Sequence, residues 1–227
     1  MALRTPMRGE ALAEQAYVAL RDAILGHELP PGTRLSVPDI AQRLGISRSP
    51  AREAIARIAY EGLAQVGPHR GAVVSDIRAE DLLEIYSLRE VLEGLACRLA
   101  SQRLEEPDVA RLRSILDEHR HAVDTGDVAR HYELDQAFHA AIRELTRNNR
   151  LIESLDRLQG QIRVAMYTTR RSPGGTPQAL SEHWVIFEAL TSADPDRAER
   201  AGRAHISRLL RDLEHSVHGV HGKEKPP

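Results

Sequence analysis

Asp135 and His139 stand four residues apart in YELDQAFHAAI, residues 132–142, among alanines, Leu134, Phe138 and Ile142. Four residues advance an α-helix by one turn plus about 40°, so the carboxylate and the imidazole leave the same face. Such a pair is an exposed ion pair, a buried pair kept for packing, or half of a metal site completed from elsewhere. Two further imidazoles share faces with apolar residues. SEHWVIFEAL sets His183 in line with Ile186, Phe187 and Leu190, and AERAGRAHISRLLRDL sets His205 with Ala198, Ala201, Gly202, Leu209 and Leu213. Three imidazoles and a carboxylate converging inside a bundle are costly to bury without a partner. A divalent transition metal is one such partner, and it would keep an open position for water or a ligand. The same set with a bound water could activate a nucleophile, so a metal-dependent hydrolase stands as an alternative, although no second acid or base is evident beside it. Aspartate and histidine suit zinc, nickel, manganese and iron alike, with zinc the default.

Helices must position these groups. Periodicity places a first helix with Ala16, Leu20, Ala23 and Ile24 on one face, ending near Gly26 and followed by a turn through Pro30, Pro31 and Gly32. A short helix over 37–44, a turn at 45–47 and a longer helix to about residue 61 come next. Ser47 or Ser49 is placed to cap the longer helix, and Pro50 suits its first turn. Short β-compatible runs at 64–66 and 72–74 flank Gly67, Pro68 and Gly71 and predict a hairpin. This order is the outline of a winged helix-turn-helix. Beyond Asp76 only helices are expected, over about 79–101, 107–125, 128–145, 149–169, 177–191 and 195–215. The expected fold class is therefore mainly α, with a winged helix-turn-helix over 11–75, an all-α bundle of about six helices over 76–216, and a disordered tail over 217–227.

A second chemistry belongs to the front end. In SRSPAREAIARI, Ser47, Arg48 and Arg52 lie at or near the start of a helix whose inner face is Ala54, Ile55 and Ile58. An arginine fork donates two hydrogen bonds to guanine, worth about 1 to 3 kcal/mol of discrimination. A helix start with a serine suits a phosphate. The turn GPHRG carries His69 and Arg70 to a wing tip, within reach of a minor groove or the backbone.

Charge and composition agree with this division. Residues 1–75 hold nine arginines and seven acids, net +2; the remaining 22 Lys or Arg and 26 acids give −4. Aromatics at 4% argue against a base-stacking surface for single strands. No run reaches the roughly 18 apolar residues of a membrane span, and the start lacks a signal-peptide core, so a cytoplasmic protein without membrane partners is expected. The single cysteine, Cys97, excludes an internal disulfide and reads as a small buried residue.

The segment LSVPDIAQRLGISRSPAREAIARIAYEGLAQVGPHRGAVV resembles the DNA-binding domain of the GntR family of bacterial transcription regulators, and the helical remainder resembles the FadR-type effector domain, FCD. The resemblance implies a homodimer on double-stranded operator DNA, more in keeping with a repressor, with Ser47, Arg48, Arg52 and Gly71 at the contact positions. Pro38 stands where the best-known relative has arginine, so contacts from the second helix do not carry over. The FCD pattern implies Asp135, His139, His183 and His205 as metal ligands and a small organic acid as effector. Arg89 is a plausible clamp for its carboxylate, or equally an ordinary helical ion pair with Glu93. Asn149 matches a family asparagine and would cap its helix. His119, His121, His131, His215 and His218 match nothing and are expected at the surface. A bundle that senses metal without DNA is a further alternative, disfavoured by the nine arginines.

Overall fold

The computed structural model describes residues 8–67, 71–169 and 176–221. Its elements are α1 (Arg8–Leu25), β1 (Arg34–Leu35), α2 (Val37–Leu44), α3 (Arg48–Tyr60), β2 (Ala64–Gly67), β3 (Gly71–Val74), α4 (Ala79–Ser101), α5 (Glu106–Thr125), α6 (Val128–Leu145), α7 (Asn149–Thr169), α8 (Thr176–Leu190) and α9 (Pro195–His221). Helix-turn-helix, wing and six-helix bundle are all present, as the periodicity predicts. Among the described residues no helix is long and apolar enough to cross a membrane.

The chain divides into two compact units. The first comprises 1–78 with 157–171, the second 79–156 with 172–227, so α7 lends its later turns to the first unit. In the first unit α1 packs along α3, burying Ala16, Tyr17, Leu20 and Ile24 together with Ala51, Ala54, Ile55 and Ile58. At roughly 1.5 to 3 kcal/mol for each large side chain withdrawn from water, this burial holds the reading helix in place. Gly45 ends α2 in the left-handed region at φ 64°, where a side chain would be strained, and the Ile46 amide then returns to the Ala41 carbonyl at 3.0 Å. The wing is antiparallel, with Val66 opposite Ala72 and Gly67 opposite Gly71. β1, which the sequence pattern does not reveal, adds to its far edge and gives the order β1-β3-β2. Two residues are too few to show alternation; the strand exists because β3 offers Arg34 and Leu35 a ladder opposite Val73 and Ala72.

In the second unit α4 and α9 make the most extensive pairing, and α5, α6 and α8 complete the bundle. Phe138, Ile142, Leu112, Leu116, Ile186 and Leu190 fill its core. Cys97 is buried among them, its thiol pushed up by burial, as expected for a small structural residue. Two glycines let α4 and α9 meet. A Cβ on Gly202 would lie 2.6 Å from Cys97 Sγ and 3.1 Å from the Glu93 carbonyl oxygen, and one on Gly94 would collide with the Arg203 side chain and lie 3.2 Å from the Glu199 carbonyl oxygen. α9 also continues to His221, beyond the end expected at residue 215 and into the stretch expected as tail.

Candidate metal centre and nucleic-acid interface

His139 projects from α6, His183 from α8 and His205 from α9, all buried. One ring nitrogen of each lies within 4.8 Å of the other two. The rings are 4.9 to 5.2 Å apart, centroid to centroid. Nε2 of His139 and both nitrogens of His183 are buried without a hydrogen-bond partner. An orphaned buried polar atom costs about 1–3 kcal/mol, and one cation can take His139 Nε2 together with one nitrogen of His183, whose other nitrogen points away. Burial, with the neighbouring imidazoles, holds His183 well below the usual imidazole range; His205 is lowered too, chiefly by burial. Both are therefore neutral near pH 7, the form that ligates a cation. Three converging buried imidazoles, two of them with orphaned nitrogens, fit a divalent transition metal.

Asp135 is only partly buried. Its Oδ1 lies 3.5 Å from His183 Nε2, but the carboxylate does not join the group in which every ligand atom is within 4.8 Å of every other. The structure thus brings three of the four expected ligands together and sets the fourth at their edge.

Carboxylates stand behind two of the imidazoles. His205 Nδ1 is 2.7 Å from Glu182 Oε2. Glu182 is held below the usual carboxylate range because hydrogen bonds from His205 and Arg208 outweigh burial, which acts in the opposite direction. An ionised carboxylate only accepts, so His205 Nδ1 carries the proton and Nε2 is left with its lone pair. Arg208 donates through Nε to the other oxygen of Glu182 and through Nη1 to Asp212 at 2.7 Å. Glu93, on α4, plays the matching part for His139: its Oε2 is 3.6 Å from Nδ1. Its Oε1 accepts from Arg89 Nε at 3.2 Å and from Arg143 Nη1 at 3.4 Å. Arg89, the expected clamp, is buried and paired with Glu93 as its helical spacing allows. Burial pushes Glu93 up, but His139, Arg89 and Arg143 together hold it well below the usual carboxylate range.

Two expectations are corrected. His119 and His131, expected at the surface, are buried. His119 Nε2 lies 2.6 Å from His131 Nδ1, and the His119 ring is 5.6 Å from that of His183. The signal was present: His119 follows Leu116 by three and Leu112 by seven residues, and His131 precedes Asp135 by one turn. His121 and His215 are exposed, as expected, and the side chain of His218 is outside the described residues. The helix α7 is capped by Asn148, whose Oδ1 accepts from the Leu151 amide at 3.2 Å, whereas Asn149 is the first helical residue and exposed. Glu182, Arg143 and Arg208 escaped the sequence reading altogether.

In the first unit Ser47 is the N-cap residue of α3, but its hydroxyl makes no capping bond, leaving the first-turn amides and the hydroxyl together at an exposed helix start. Arg48 and Arg52 are exposed and have no ion pair or hydrogen bond among the described residues. By contrast Arg57, further along the helix, is engaged by Glu14 and lies 3.6 Å from the Tyr17 ring centroid. A groove of about 410 Å³ between β1, α2, α3 and the wing is lined by Arg34, Pro38, Arg52, Ile55, Val66 and Gly71, among others. Arg34, a group the sequence reading passed over, thus shares a surface with Arg52. Gly71 opens β3 at φ 71°, a conformation glycine adopts freely. His69 and Arg70 lie outside the described residues.

Residues 84–208 match the model of the FCD domain, and residues 12–74 that of the bacterial regulatory proteins of the gntR family. The HTH-type transcriptional repressor RspR of Escherichia coli K12 is 28% identical over 188 residues, 83% of this chain and 82% of that protein. The HTH-type transcriptional regulator McbR of the same strain is 31% identical over 187 residues, 82% and 84% of the two chains. Among solved structures, E. coli McbR/YncC superposes with a TM-score of 0.73 at 23% identity, covering 91% of this chain and 98% of that one. A putative GntR regulator from Rhodococcus sp. RHA1 gives 0.67 at 26%, covering 92% and 98%. By these matches, and by the winged unit and helical bundle that they span, the chain belongs to the GntR family, as a ligand-responsive DNA-binding regulator whose FCD domain carries a candidate metal-coordinating site.

Proposed function

We propose that the protein is a homodimeric repressor that senses a small organic acid at a metal centre in its helical domain. The ligands are His139, His183 and His205, with Asp135 moving into the fourth position, and zinc is the first choice over nickel, manganese or iron. The observation that carries this reading is the set of orphaned imidazole nitrogens converging in the bundle core. When bound, the metal supplies a positive centre to which an effector carboxylate can coordinate.

Arg89 supports an anionic effector: Arg143 and Arg208 are each tied to a second carboxylate, Asp156 and Asp212, whereas Glu93 is the one ion-pair partner of Arg89 among the described residues. Arg89 is the group proposed to turn to the effector, since its planar fork matches a carboxylate. In the first unit, Ser47, Arg48, Arg52 and Gly71, with His69 and Arg70 of the wing tip, are proposed to contact operator DNA. The uncommitted guanidiniums of Arg48 and Arg52 support that role. Leu88, Val91 and Leu95, exposed on one stripe of α4, offer an apolar surface to a second copy. RspR, a relative, is described as a repressor, which favours the same sense of control here. Family membership sets aside the hydrolase reading and the metal-sensing bundle without DNA.

The test is metal content and operator binding on one preparation. Elemental analysis should give one transition-metal ion per chain, lost from His183→Ala. Gel shift with genomic operator fragments should show release by an organic acid in metal-loaded protein. Absence of metal from the wild type after loading, or DNA binding insensitive to Arg52→Ala, would sink the reading.

A further inference from the structure

Among the described residues Glu93 is the one carboxylate with ion pairs both to a proposed metal ligand, His139, and to the proposed clamp, Arg89. It is 1% exposed. Its two oxygens have different duties: Oε1 is shared between Arg89 Nε at 3.2 Å and Arg143 Nη1 at 3.4 Å, while Oε2 faces His139 Nδ1 at 3.6 Å and has no hydrogen bond. The four residues form a small quadrilateral. Arg89 and Glu93 are one turn apart on α4, and His139 and Arg143 are one turn apart on α6. A shift of a few tenths of an ångström closes the gap between Oε2 and the His139 ring, at the expense of the longer bonds on the other oxygen.

We infer that Glu93 makes metal occupancy and anion occupancy mutually reinforcing; this rests on the metal and anion-sensing reading above. With His139 holding a cation, its Nδ1–H would be a stronger donor. The nearest acceptor without a partner is Glu93 Oε2, so loading draws the carboxylate toward α6 and loosens its hold on Arg89. The freed guanidinium can then present its fork to an incoming carboxylate. In the opposite direction, an anion that engages Arg89 leaves Glu93 with fewer donors and strengthens its grip on His139, which fixes that ring in the ligating tautomer. Coupling of this kind is reciprocal by necessity: whatever factor metal contributes to anion affinity, anion contributes to metal affinity. Glu182 provides an internal comparison. It orients His205 in the same way at 2.7 Å, but its guanidinium partner, Arg208, is also tied to Asp212, and neither Arg89 nor Arg143 is among its hydrogen-bond or ion-pair partners.

The experiment is calorimetric titration of full-length protein with zinc and with two anionic probes, succinate and sulfate, in wild type, Glu93→Gln, Glu93→Asp and Glu182→Gln. Circular dichroism and melting confirm that each variant is folded. In the wild type, removing zinc should weaken binding of at least one probe by about 5-fold or more, and saturating that probe should tighten zinc by the same factor. Both glutamine variants should bind zinc about 10- to 100-fold more weakly. Glu93→Gln should keep only the part of the zinc dependence that direct coordination of the anion gives, clearly below the wild-type factor; Glu182→Gln keeps the full dependence, and Glu93→Asp restores part of what Glu93→Gln loses. Coupling in Glu93→Gln as strong as in the wild type, or anion and zinc binding independently in the wild type, overturns the role of Glu93 while leaving both sites standing. A wild type that takes zinc but neither probe overturns the anion-sensing reading, and this inference with it.

Discussion

The two units use arginine in opposite ways. Arg48 and Arg52 stand in solvent without partners among the described residues, whereas Arg89 and Arg143 are buried and share the carboxylate of Glu93. A guanidinium left unpaired in water costs little and is ready to meet a phosphate or a guanine edge. Buried, the same group must be neutralised, and its partner then becomes part of whatever it does next. One unit keeps its charges available; the other keeps them balanced, so that adding one charge shifts the rest.

Several substitutions sharpen or break this contrast. The largest effect is expected from His183→Ala, which removes the most buried of the three converging imidazoles: metal uptake, followed by elemental analysis and competition with a chromophoric chelator, should fall by more than about 100-fold, beyond the usual loss for an outer carboxylate. Undiminished uptake would mean that the balanced unit is not built around a cation. Arg52→Ala should weaken specific operator binding by about 10- to 100-fold, as gel shift would show, because its fork is uncommitted. Equal affinity for operator and random DNA in the wild type would break the comparison from the other side.

Acid should act mainly on the buried unit. Burial and the neighbouring His131 lower His119 from 6.5 to about 4, and His131, His183 and His205 are lowered as well. The unfolded chain therefore binds more protons between about pH 6.5 and 4, so this stability is full above 6.5 and is lost as pH falls. His119 alone accounts for about 2 kcal/mol between pH 7 and 5. Chemical denaturation of metal-free protein at those two pH values should show at least part of it; a flat profile would mean that the histidines are not withdrawn from water. The smallest effect belongs to Arg57→Ala. Although Arg57 lies on the same helix as Arg52, it is committed to Glu14 and the Tyr17 ring, so the change should cost about 0 to 1 kcal/mol in stability and leave operator affinity unaltered.

Most helices were legible because each displays its own face in the sequence. Gly45, Pro50 and the spacing of Ala54, Ile55 and Ile58 mark the helix-turn-helix before any tertiary contact is known. Legibility failed where a residue takes its meaning from another segment. Arg34 and Leu35 are a strand only because β3 lies beside them. Glu182 adjoins His183 in the chain yet serves His205, because a long side chain reaches an adjacent helix that periodicity does not name. His119 Nε2 and His131 Nδ1 pair with each other, which eases a burial that isolated imidazoles would resist, although His119 Nδ1 is left without a hydrogen-bond partner. The cap of α7 moved by one residue for a smaller reason: Asn148 and Asn149 are chemically identical, and only the backbone decides which precedes the first turn.

The close approach of α4 and α9 at Gly94 and Gly202 reaches further than packing. Gly202 is three residues before His205, and Gly94 directly follows Glu93. Adding a single methyl to either would wedge the two rods apart, carrying an imidazole away from its companions without altering any donor atom. Lesions at these featureless positions would therefore surface as faulty metal retention, and a screen for regulators deaf to their signal should recover them alongside changes in the ligands themselves.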